Sequence, residues 1–290
     1  MGALPAQGSG RESPEVSGTL QRSGSTIRYW IGGPRRGPVV AFTHGMAMSH
    51  RVFEPQLAEL WAAGYRTLRW DMRGHGRSQP MGKSPLTLRD LADDLHALLD
   101  GFLLGRHACL VGQGLGGHVA QQVVLDRPDR VAALVVVGSL CITRPGPVVW
   151  RSLVSTAVRG AWMLRPVREL HDRIGRESAV TPWVQSAAFD CAQLLDKRGI
   201  LATLRAQWET IRTEPAYRIY APVLVMHGEH DVTPGIRRSS TAWAERDPRC
   251  RYEVVRKAGH LAQLDNPKAF NARLVEFLTE YHPVPRGISS

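Results

Sequence analysis

Strand-like apolar runs alternate along the chain with segments of helical apolar spacing. The strand-like runs are Val39–Phe42, Tyr65–Trp70, Ala108–Val111, Val131–Val137, Pro222–Met226 and Arg251–Val255. The helical segments are Val52–Ala62, Leu88–Leu103, Leu115–Leu125 and Pro267–Thr279. Unbroken apolar strands are typical of a parallel sheet that is covered on both faces. The alternation therefore predicts an α/β fold with a mostly parallel, doubly wound sheet.

The strand pattern stops between residues 142 and 215, where the chain becomes helical. Apolar residues follow helical spacing in Trp150–Val158 and in Ala187–Leu195, which predicts an inserted helical subdomain at 142–215. We expect the α/β core to comprise residues 19–141 and 216–290. Residues 1–18 mix Gly, Ser, Pro and single charges without an apolar run, so we expect a disordered leader and not a secretory signal.

Composition narrows the class of protein. The chain has 290 residues, of which 43% are hydrophobic, enough to bury a large core. Its apolar core run Val131–Val137 is far shorter than the roughly 20 residues that a membrane-spanning helix needs, so we expect no membrane span. The four cysteines lie far apart without a C-x-x-C pair. This pattern predicts a reduced, cytoplasmic protein with no metal site.

The charge balance is strongly basic, but it does not predict nucleic-acid binding. The formal net charge is +11, and arginine supplies most of the positive charge. No basic helix, zinc-finger spacing or aromatic platform for single strands accompanies it. Residues 144–176 hold seven arginines against Glu169 and Asp172. A solvated basic face explains such a segment, and an anionic ligand is the other option.

Glycine-rich motifs follow several of the predicted strands. They are His44-Gly45, Asp71-x-Arg73-Gly74-x-Gly76, Gly112-Gln113-Gly114-Leu115-Gly116-Gly117, Gly228-Glu229-His230-Asp231 and Gly259-His260. In this order and spacing they resemble the α/β-hydrolase superfamily, and the resemblance spans residues 18–282. It implies an α/β-hydrolase fold in which the inserted helical segment is the cap over the active site.

Gly114 stands where the resemblance places the catalytic nucleophile. In this superfamily the turn reads G-x-S-x-G, and its serine lies on a strained strand-to-helix elbow above the sheet. Here the turn reads G-Q-G-L-G, so the flanking residues remain while the attacking side chain is absent. Glycine adopts positive φ without the roughly 1 to 3 kcal/mol of strain that other residues incur. The context is closer to serine members of the superfamily than to aspartate members.

The resemblance also implies the rest of the site. His260 matches the general base, and Asp231 matches the acid that orients its imidazole. The matching oxyanion donors are the backbone amides of Met46 and Leu115. Such a site can stabilise an oxyanion or an enolate, or activate water, without a side chain at Gly114. No cofactor is implied.

Several functions remain open from the sequence. An atypical enzyme would use the His-Asp pair on a small carbonyl or ester substrate, by water-mediated hydrolysis or by a lyase, isomerase or cyclase step. A pseudo-hydrolase would keep the pocket only to bind a small ligand, and a third option is a serine ester hydrolase whose nucleophile was deliberately replaced. Ser139 and Cys141, at the same expected sheet edge, are alternative nucleophiles without an elbow. The sequence leaves the oligomeric state open.

Overall fold

A computed structural model describes residues 15–82, 85–103, 106–143, 160–209, 214 and 217–285. Within these residues one sheet has the strand order β1-β2-β4-β3-β5-β6-β7-β8. The strands are β1 (Val16–Arg22), β2 (Ser25–Gly32), β3 (Val39–Thr43), β4 (Arg66–Trp70), β5 (Ala108–Gln113), β6 (Val131–Val137), β7 (Val223–Gly228) and β8 (Cys250–Val255). Strands β3 to β8 are parallel, and β2 is antiparallel to both of its neighbours. The predicted α/β class and mostly parallel sheet are confirmed.

Helices flank the sheet. They are α1 (Glu54–Ala62), α2 (Leu88–Leu103), α3 (Leu115–Asp126), α4 (Val167–Ser178), α5 (Pro182–Ala192), α6 (Lys197–Glu209), α7 (Ile236–Arg246), α8 (Ala262–Asp265) and α9 (Pro267–Tyr281). The helices predicted between strands and after the last strand are confirmed to within a few residues. The first of them begins as the 3-10 turn His50–Phe53. No helix in the described part of the chain is long and apolar enough to cross a bilayer.

The sheet is buried on both faces, as its continuous apolar strands predict. Successive residues of β6 point to opposite sides: Val135 joins one apolar cluster with Phe277 of α9, and Val136 joins another with Leu95 of α2. All four side chains are essentially inaccessible to solvent. Because the core encloses the strands from both sides, the loops at their carboxyl ends are held on a rigid frame.

The amino-terminal boundary of the core differs from the sequence prediction. Residues 16–18, which we expected in the leader, begin β1 and pair with residues 29–31 of β2. Ser23 and Gly24 form the connecting turn with positive φ. The prediction for residues 16–18 is therefore wrong, because β1 is a strand of exposed and half-buried positions and lacks a continuous apolar run. Residues 1–14 lie outside the described residues.

Three helices, α4, α5 and α6, connect β6 to β7 in the described part of the chain. The helix expected at Ala187–Leu195 is found at Pro182–Ala192, because Pro182 is well suited to a first helical turn. Helices α4 and α5 pack against each other. The helix expected at Trp150–Val158 lies outside the described residues, and the division of the chain at 142 and 215 stays a prediction.

Candidate active site

Gly114 forms the tight turn between β5 and α3. Its backbone has φ +54° and ψ −118°, a conformation that residues with a side chain adopt only under strain. Its N–H donates to the carbonyl oxygen of Val137 at 2.9 Å, and its carbonyl accepts the N–H of Gly117 at 3.0 Å. The elbow backbone is therefore present and hydrogen-bonded, although residue 114 carries no side chain.

His260, in the loop after β8, faces this elbow. A Cβ atom built on Gly114 would lie 3.2 Å from the Nε2 atom of His260. The other ring nitrogen, Nδ1, lies 3.0 Å from Oδ2 of Asp231, which follows β7. The fold thus brings together three residues that are far apart in the sequence, because β5, β7 and β8 end at the same edge of the sheet.

Electrostatics favour a charged carboxylate beside a basic imidazole. The Asp231 side chain is inaccessible, and the His260 side chain is 20% exposed. Burial raises the pKa of Asp231, but the charge and hydrogen bond of His260, together with hydrogen bonds from Thr233, outweigh it and the pKa is lowered. Burial lowers the pKa of His260, but the carboxylate of Asp231 outweighs it and the pKa is raised. With Nδ1–H donated to Asp231, Nε2 is the basic nitrogen directed at the elbow.

The two expected oxyanion donors lie beside the elbow. Leu115 is the first residue of α3, so its N–H has no acceptor within the helix and lies at the positive end of the helix dipole. Met46 follows Gly45, whose Cα lies 3.7 Å from the position of a Cβ on Gly114. Both Met46 and Leu115 line the cavity next to His260. Both residues therefore lie beside the elbow, and the role of their backbone amides as oxyanion donors stays a prediction.

A buried histidine fixes the loop that carries Met46. Nδ1 of His44 lies 2.8 Å from the carbonyl oxygen of Gly45, and Nε2 accepts the N–H of Met72 at 2.9 Å. Burial, reinforced by the nearby His75, lowers the pKa of His44 to about 3. The ring therefore stays neutral and bridges the Gly45 turn to the loop after β4.

A cavity of about 270 Å³ opens beside Gly114 and His260. Helices α4 and α6 contribute apolar side chains to it, Ile174 and Leu204 among them. Its lining also includes Arg173 and Glu177, which form an ion pair at 2.8 Å. The guanidinium of Arg173 lies 5.9 Å from the centre of a Trp162 ring. The cavity is therefore mostly apolar, with a paired charge at one side.

The arginine-rich segment is less basic at the site than its sequence suggests. Arg173 pairs with Glu177, and Arg165 pairs with Glu169. Arg144, Arg151 and Arg159 lie outside the described residues. Among the described arginines of the segment, Arg173 is the one that lines the cavity, and it is paired with Glu177. An anionic ligand stays an option.

Two residues at the site were not singled out by the sequence analysis. Gly138 follows β6 with φ +54°, and a Cβ there would lie 2.9 Å from Nδ1 of His260 and 3.1 Å from Oδ2 of Asp231. Thr233 places its hydroxyl 3.0 Å from the same Nδ1. Gly138 could have been found from the sequence, because it is a glycine directly after an apolar strand. The contact of Thr233 with His260 has no signal in the sequence, because it depends on how the loop after β7 folds.

The alternative nucleophiles are buried away from this arrangement. Ser139 is 3% exposed and packs next to Gly117 of α3. Cys141 is also 3% exposed and lies beside Thr143 and Arg246. Neither borders the described part of the cavity that His260 lines. Among the described residues, no group of three or more His, Cys, Asp or Glu side chains is placed to hold a metal ion.

Comparison with known proteins identifies the family. The family described as serine aminopeptidase, S33, matches residues 34–266 of the chain. This chain belongs to that family of α/β-hydrolases. The predicted superfamily is therefore confirmed, and the match covers the elbow, Asp231 and His260.

Relatives that match most of the chain are hydrolases by name. The chain is 26% identical over 259 residues to 3-oxoadipate enol-lactonase 1 of Acinetobacter baylyi, covering 86% of this chain and 91% of that protein. It is 26% identical over 261 residues to carboxylesterase YbfK of Bacillus subtilis, covering 85% and 82%. A relative named as a carbamate hydrolase, RutD of Variovorax paradoxus, is 38% identical over 113 residues, 39% of this chain and 42% of that protein.

Solved structures show the same fold. A hydrolase from Pseudomonas aeruginosa PA01 superposes with a TM-score of 0.77 at 24% identity, covering 90% of this chain and 98% of that one. The enol-lactonase from Burkholderia xenovorans LB400 gives 0.74 at 25% identity, covering 90% and 100%. The eight-stranded sheet with flanking helices is thus the α/β-hydrolase fold.

Proposed function

We propose that this family member hydrolyses a small ester or lactone by direct attack of water, with His260 as the general base. One observation carries the proposal: Nε2 of His260 lies 3.2 Å from the point that a Cβ on residue 114 would occupy. Hydrolysis through an acyl-serine needs a hydroxyl at this elbow, and Gly114 has none. A water activated by Nε2 would attack the carbonyl without a covalent intermediate.

Each group of the site has a defined step in this mechanism. Neutral Nε2 of His260 accepts a proton from water while the water oxygen bonds to the carbonyl carbon. The carbonyl oxygen becomes an oxyanion that accepts hydrogen bonds from the N–H groups of Met46 and Leu115. The intermediate then collapses, the bond to the leaving group breaks, and the imidazolium donates the proton to the leaving oxygen. Asp231 accepts Nδ1–H throughout and stabilises the transient imidazolium.

The size of the cavity and the relatives support a small substrate. About 270 Å³ lies near the lower end of ligand pockets, which span roughly 300 to 1,000 Å³. The relatives that match most of the chain are named as an enol-lactonase and a carboxylesterase. Arg173 is the candidate contact for an anionic substituent, if one is present. Cytoplasmic location and independence of cofactors stay predictions.

We also propose that residues 142–215 act as the cap of this site. Helices α4 and α6, both within that segment, contribute Ile174 and Leu204 to the cavity wall. Gly114 and His260, from the sheet edge, form the opposite side. The substrate would therefore bind between the core and the cap.

The test is turnover of p-nitrophenyl acetate, phenyl acetate and a small lactone by the unmodified chain and by His260→Ala. We expect steady turnover without an initial burst, its loss in His260→Ala, and no labelling by a fluorophosphonate serine probe. His230→Ala is the matched control, because His230 precedes Asp231 but its side chain is 57% exposed. It should retain full activity.

The outcomes separate the other functions. A burst, or stoichiometric labelling of any serine, would contradict direct attack by water. Equal product formation by the unmodified chain and His260→Ala would exclude His260 as the base. If thermal-shift screening finds a ligand that both proteins return chemically unchanged, the chain is a binding protein. Mass spectrometry of the ligand before and after incubation also identifies a lyase, isomerase or cyclase product.

A further inference from the structure

Thr233 contacts both members of the His-Asp pair. It lies two residues after Asp231, and its backbone N–H donates to Oδ1 of that carboxylate at 2.9 Å. Its side-chain Oγ1 lies 3.0 Å from Nδ1 of His260. Thr233 also lines the cavity. One residue therefore reaches the carboxylate, the imidazole and the space where a substrate would bind.

The proton on Nδ1 has two oxygen neighbours at equal distance. Oδ2 of Asp231 and Oγ1 of Thr233 each lie 3.0 Å from Nδ1 of His260. A charged carboxylate can only accept, so Asp231 requires that Nδ1 carry the proton. The Thr233 hydroxyl then accepts a share of the same N–H, and its own proton is available to Asp231 or to a molecule in the cavity.

The turn from Asp231 to Thr233 does not require the Thr233 hydroxyl. The contact from the Thr233 amide to Asp231 is the common turn in which an aspartate bonds the backbone two residues later, and any residue but proline can make it. The hydroxyl is an additional interaction directed at the imidazole. Replacing only the hydroxyl therefore separates a local turn from an effect on His260.

We propose that Thr233 is a positioning residue that shares the Nδ1 proton of His260 and keeps Nε2 directed at the elbow. Its amide holds one oxygen of Asp231, and its hydroxyl holds the ring nitrogen that the other oxygen faces. The imidazole is thus restrained at Nδ1 by two groups and remains basic at Nε2. Only the consequence for turnover rests on the proposed function; the contact itself is testable without a substrate.

The effect of the Thr233 hydroxyl on His260 can be distinguished from the effects of the charged groups nearby. Asp231 is the charge that raises its pKa. From helix α4, Arg173 and Glu177 line the same cavity and are paired with each other. A change of Thr233 to valine keeps the shape and all these charges. A shift in the titration of His260 would therefore report the lost hydroxyl.

The experiment compares Thr233→Val, Thr233→Ser and the unmodified full-length chain by NMR of the histidine ring protons across pH. Removing an acceptor of Nδ1–H should lower the pKa of His260 by about half a unit and shift the low-field Nδ1 proton resonance. Thr233→Ser should restore both. Thr241→Val is the matched control, because the Thr241 hydroxyl bonds only helix carbonyls of α7 among its described contacts. It should leave both unchanged.

Kinetics give the second readout. With an ester that the chain turns over, Thr233→Val should lower kcat about tenfold with little change in KM, since one hydrogen bond orients the base. An unchanged pKa and an unchanged Nδ1 resonance in Thr233→Val would overturn the proposal. A raised pKa of His260 would also overturn it, because the Thr233 hydroxyl would then act mainly by donating to Asp231 and not by accepting from Nδ1. If the valine variant does not fold, Thr233→Ala carries the same test.

Failure of this inference and failure of the proposed function are distinguishable. If the Nδ1 resonance depends on Thr233 but no substrate is turned over, the positioning contact stands and the hydrolase mechanism falls. If turnover needs His260 while neither the pKa nor the resonance responds to Thr233, the hydrolase mechanism stands and Thr233 belongs only to the turn.

Discussion

Among the described residues, two histidines bring Nδ1 to within 3.0 Å of a buried aspartate, and the surroundings of these two pairs differ. Nδ1 of His50 lies 2.8 Å from Oδ1 of Asp71, and Nδ1 of His260 lies 3.0 Å from Oδ2 of Asp231. Both carboxylates are inaccessible to solvent. The His50 ring, however, stacks on Trp30 with centroids 3.5 Å apart, whereas His260 lines the cavity.

The other hydrogen bonds of Asp71 show that its pair with His50 is structural. Asp71 also accepts the backbone N–H groups of His50 and Arg77 at 2.7 and 2.8 Å, so it joins the turn at His50 to the loop after β4. Burial opposes its ionisation, yet the hydrogen bond and charge of His50 lower its pKa. The same pair chemistry therefore makes a structural contact where the ring is covered and, in the proposed mechanism, a general base where Nε2 faces the elbow.

Replacing each of the two histidines with alanine should distinguish the two pairs most clearly. His260→Ala should reduce kcat by about a hundredfold to ten-thousandfold, the usual contribution of a general base. His50→Ala should keep kcat within a fewfold but destabilise the fold by about 1 to 3 kcal/mol, since it leaves buried Asp71 short of a partner. Ester turnover and thermal melting check both; a large loss of kcat in a folded His50→Ala would contradict the assignment.

Gly138→Ala tests how closely the backbone confines the active pair. The new Cβ would lie 2.9 Å from Nδ1 of His260, so the ring must move and kcat should fall by about tenfold to a hundredfold. Gly101→Ala in α2 is the matched control, because a Cβ there meets nothing within 4 Å. It should raise stability by about 0.5 to 1 kcal/mol without affecting kcat. Equal activity of the two variants would show that the pair tolerates displacement.

Gly114→Ser examines the elbow itself. A side chain at φ +54° is strained, so we expect a loss of about 1 kcal/mol and a melting temperature lower by roughly 2 to 4 °C. The serine should become labelled by a fluorophosphonate, because its Cβ would lie 3.2 Å from Nε2 of His260. A folded variant that stays unlabelled would mean that the base or the oxyanion donors are misplaced.

The pH dependence of turnover should also distinguish the two pairs, and we expect this effect to be the smallest. The base must be neutral, so the rate falls as pH decreases through the pKa of His260, which Asp231 raises above its ordinary 6.5 against the opposing effect of burial. Asp231→Asn removes that charge and should move the inflection to lower pH. Asp71→Asn, in the covered pair, should leave the inflection where it is. If the inflection moves in Asp71→Asn and not in Asp231→Asn, the base is not His260.

The sequence could predict the parts of the site that local motifs encode. Gly114, Asp231 and His260 each lie in a short glycine-containing motif directly after a strand, and the parallel sheet necessarily gathers such loops at one edge. The elbow conformation also follows from Gly114 and its flanking glycines. These predictions depend on local sequence and strand order, which apolar runs reveal.

The rest depends on contacts between distant segments. His50 matched no motif, and only its folded position beside Asp71 and Trp30 gives it a partner. Gly138 resembles any glycine after a strand until the imidazole is placed against it. The cavity wall from α4 and α6 has no local code, because helical spacing tells which side of a helix is buried but not what it faces.

The backbone at Gly114 keeps the shape of the elbow at no strain, and this has an evolutionary consequence. A glycine codon can become a serine codon by a single base change, so a covalent and a non-covalent form of the site are neighbours in sequence space. In the proposed mechanism, His260, Asp231 and the oxyanion amides would serve either form unchanged. A lineage with this elbow can therefore exchange one chemistry for the other without passing through an unfolded or disassembled site.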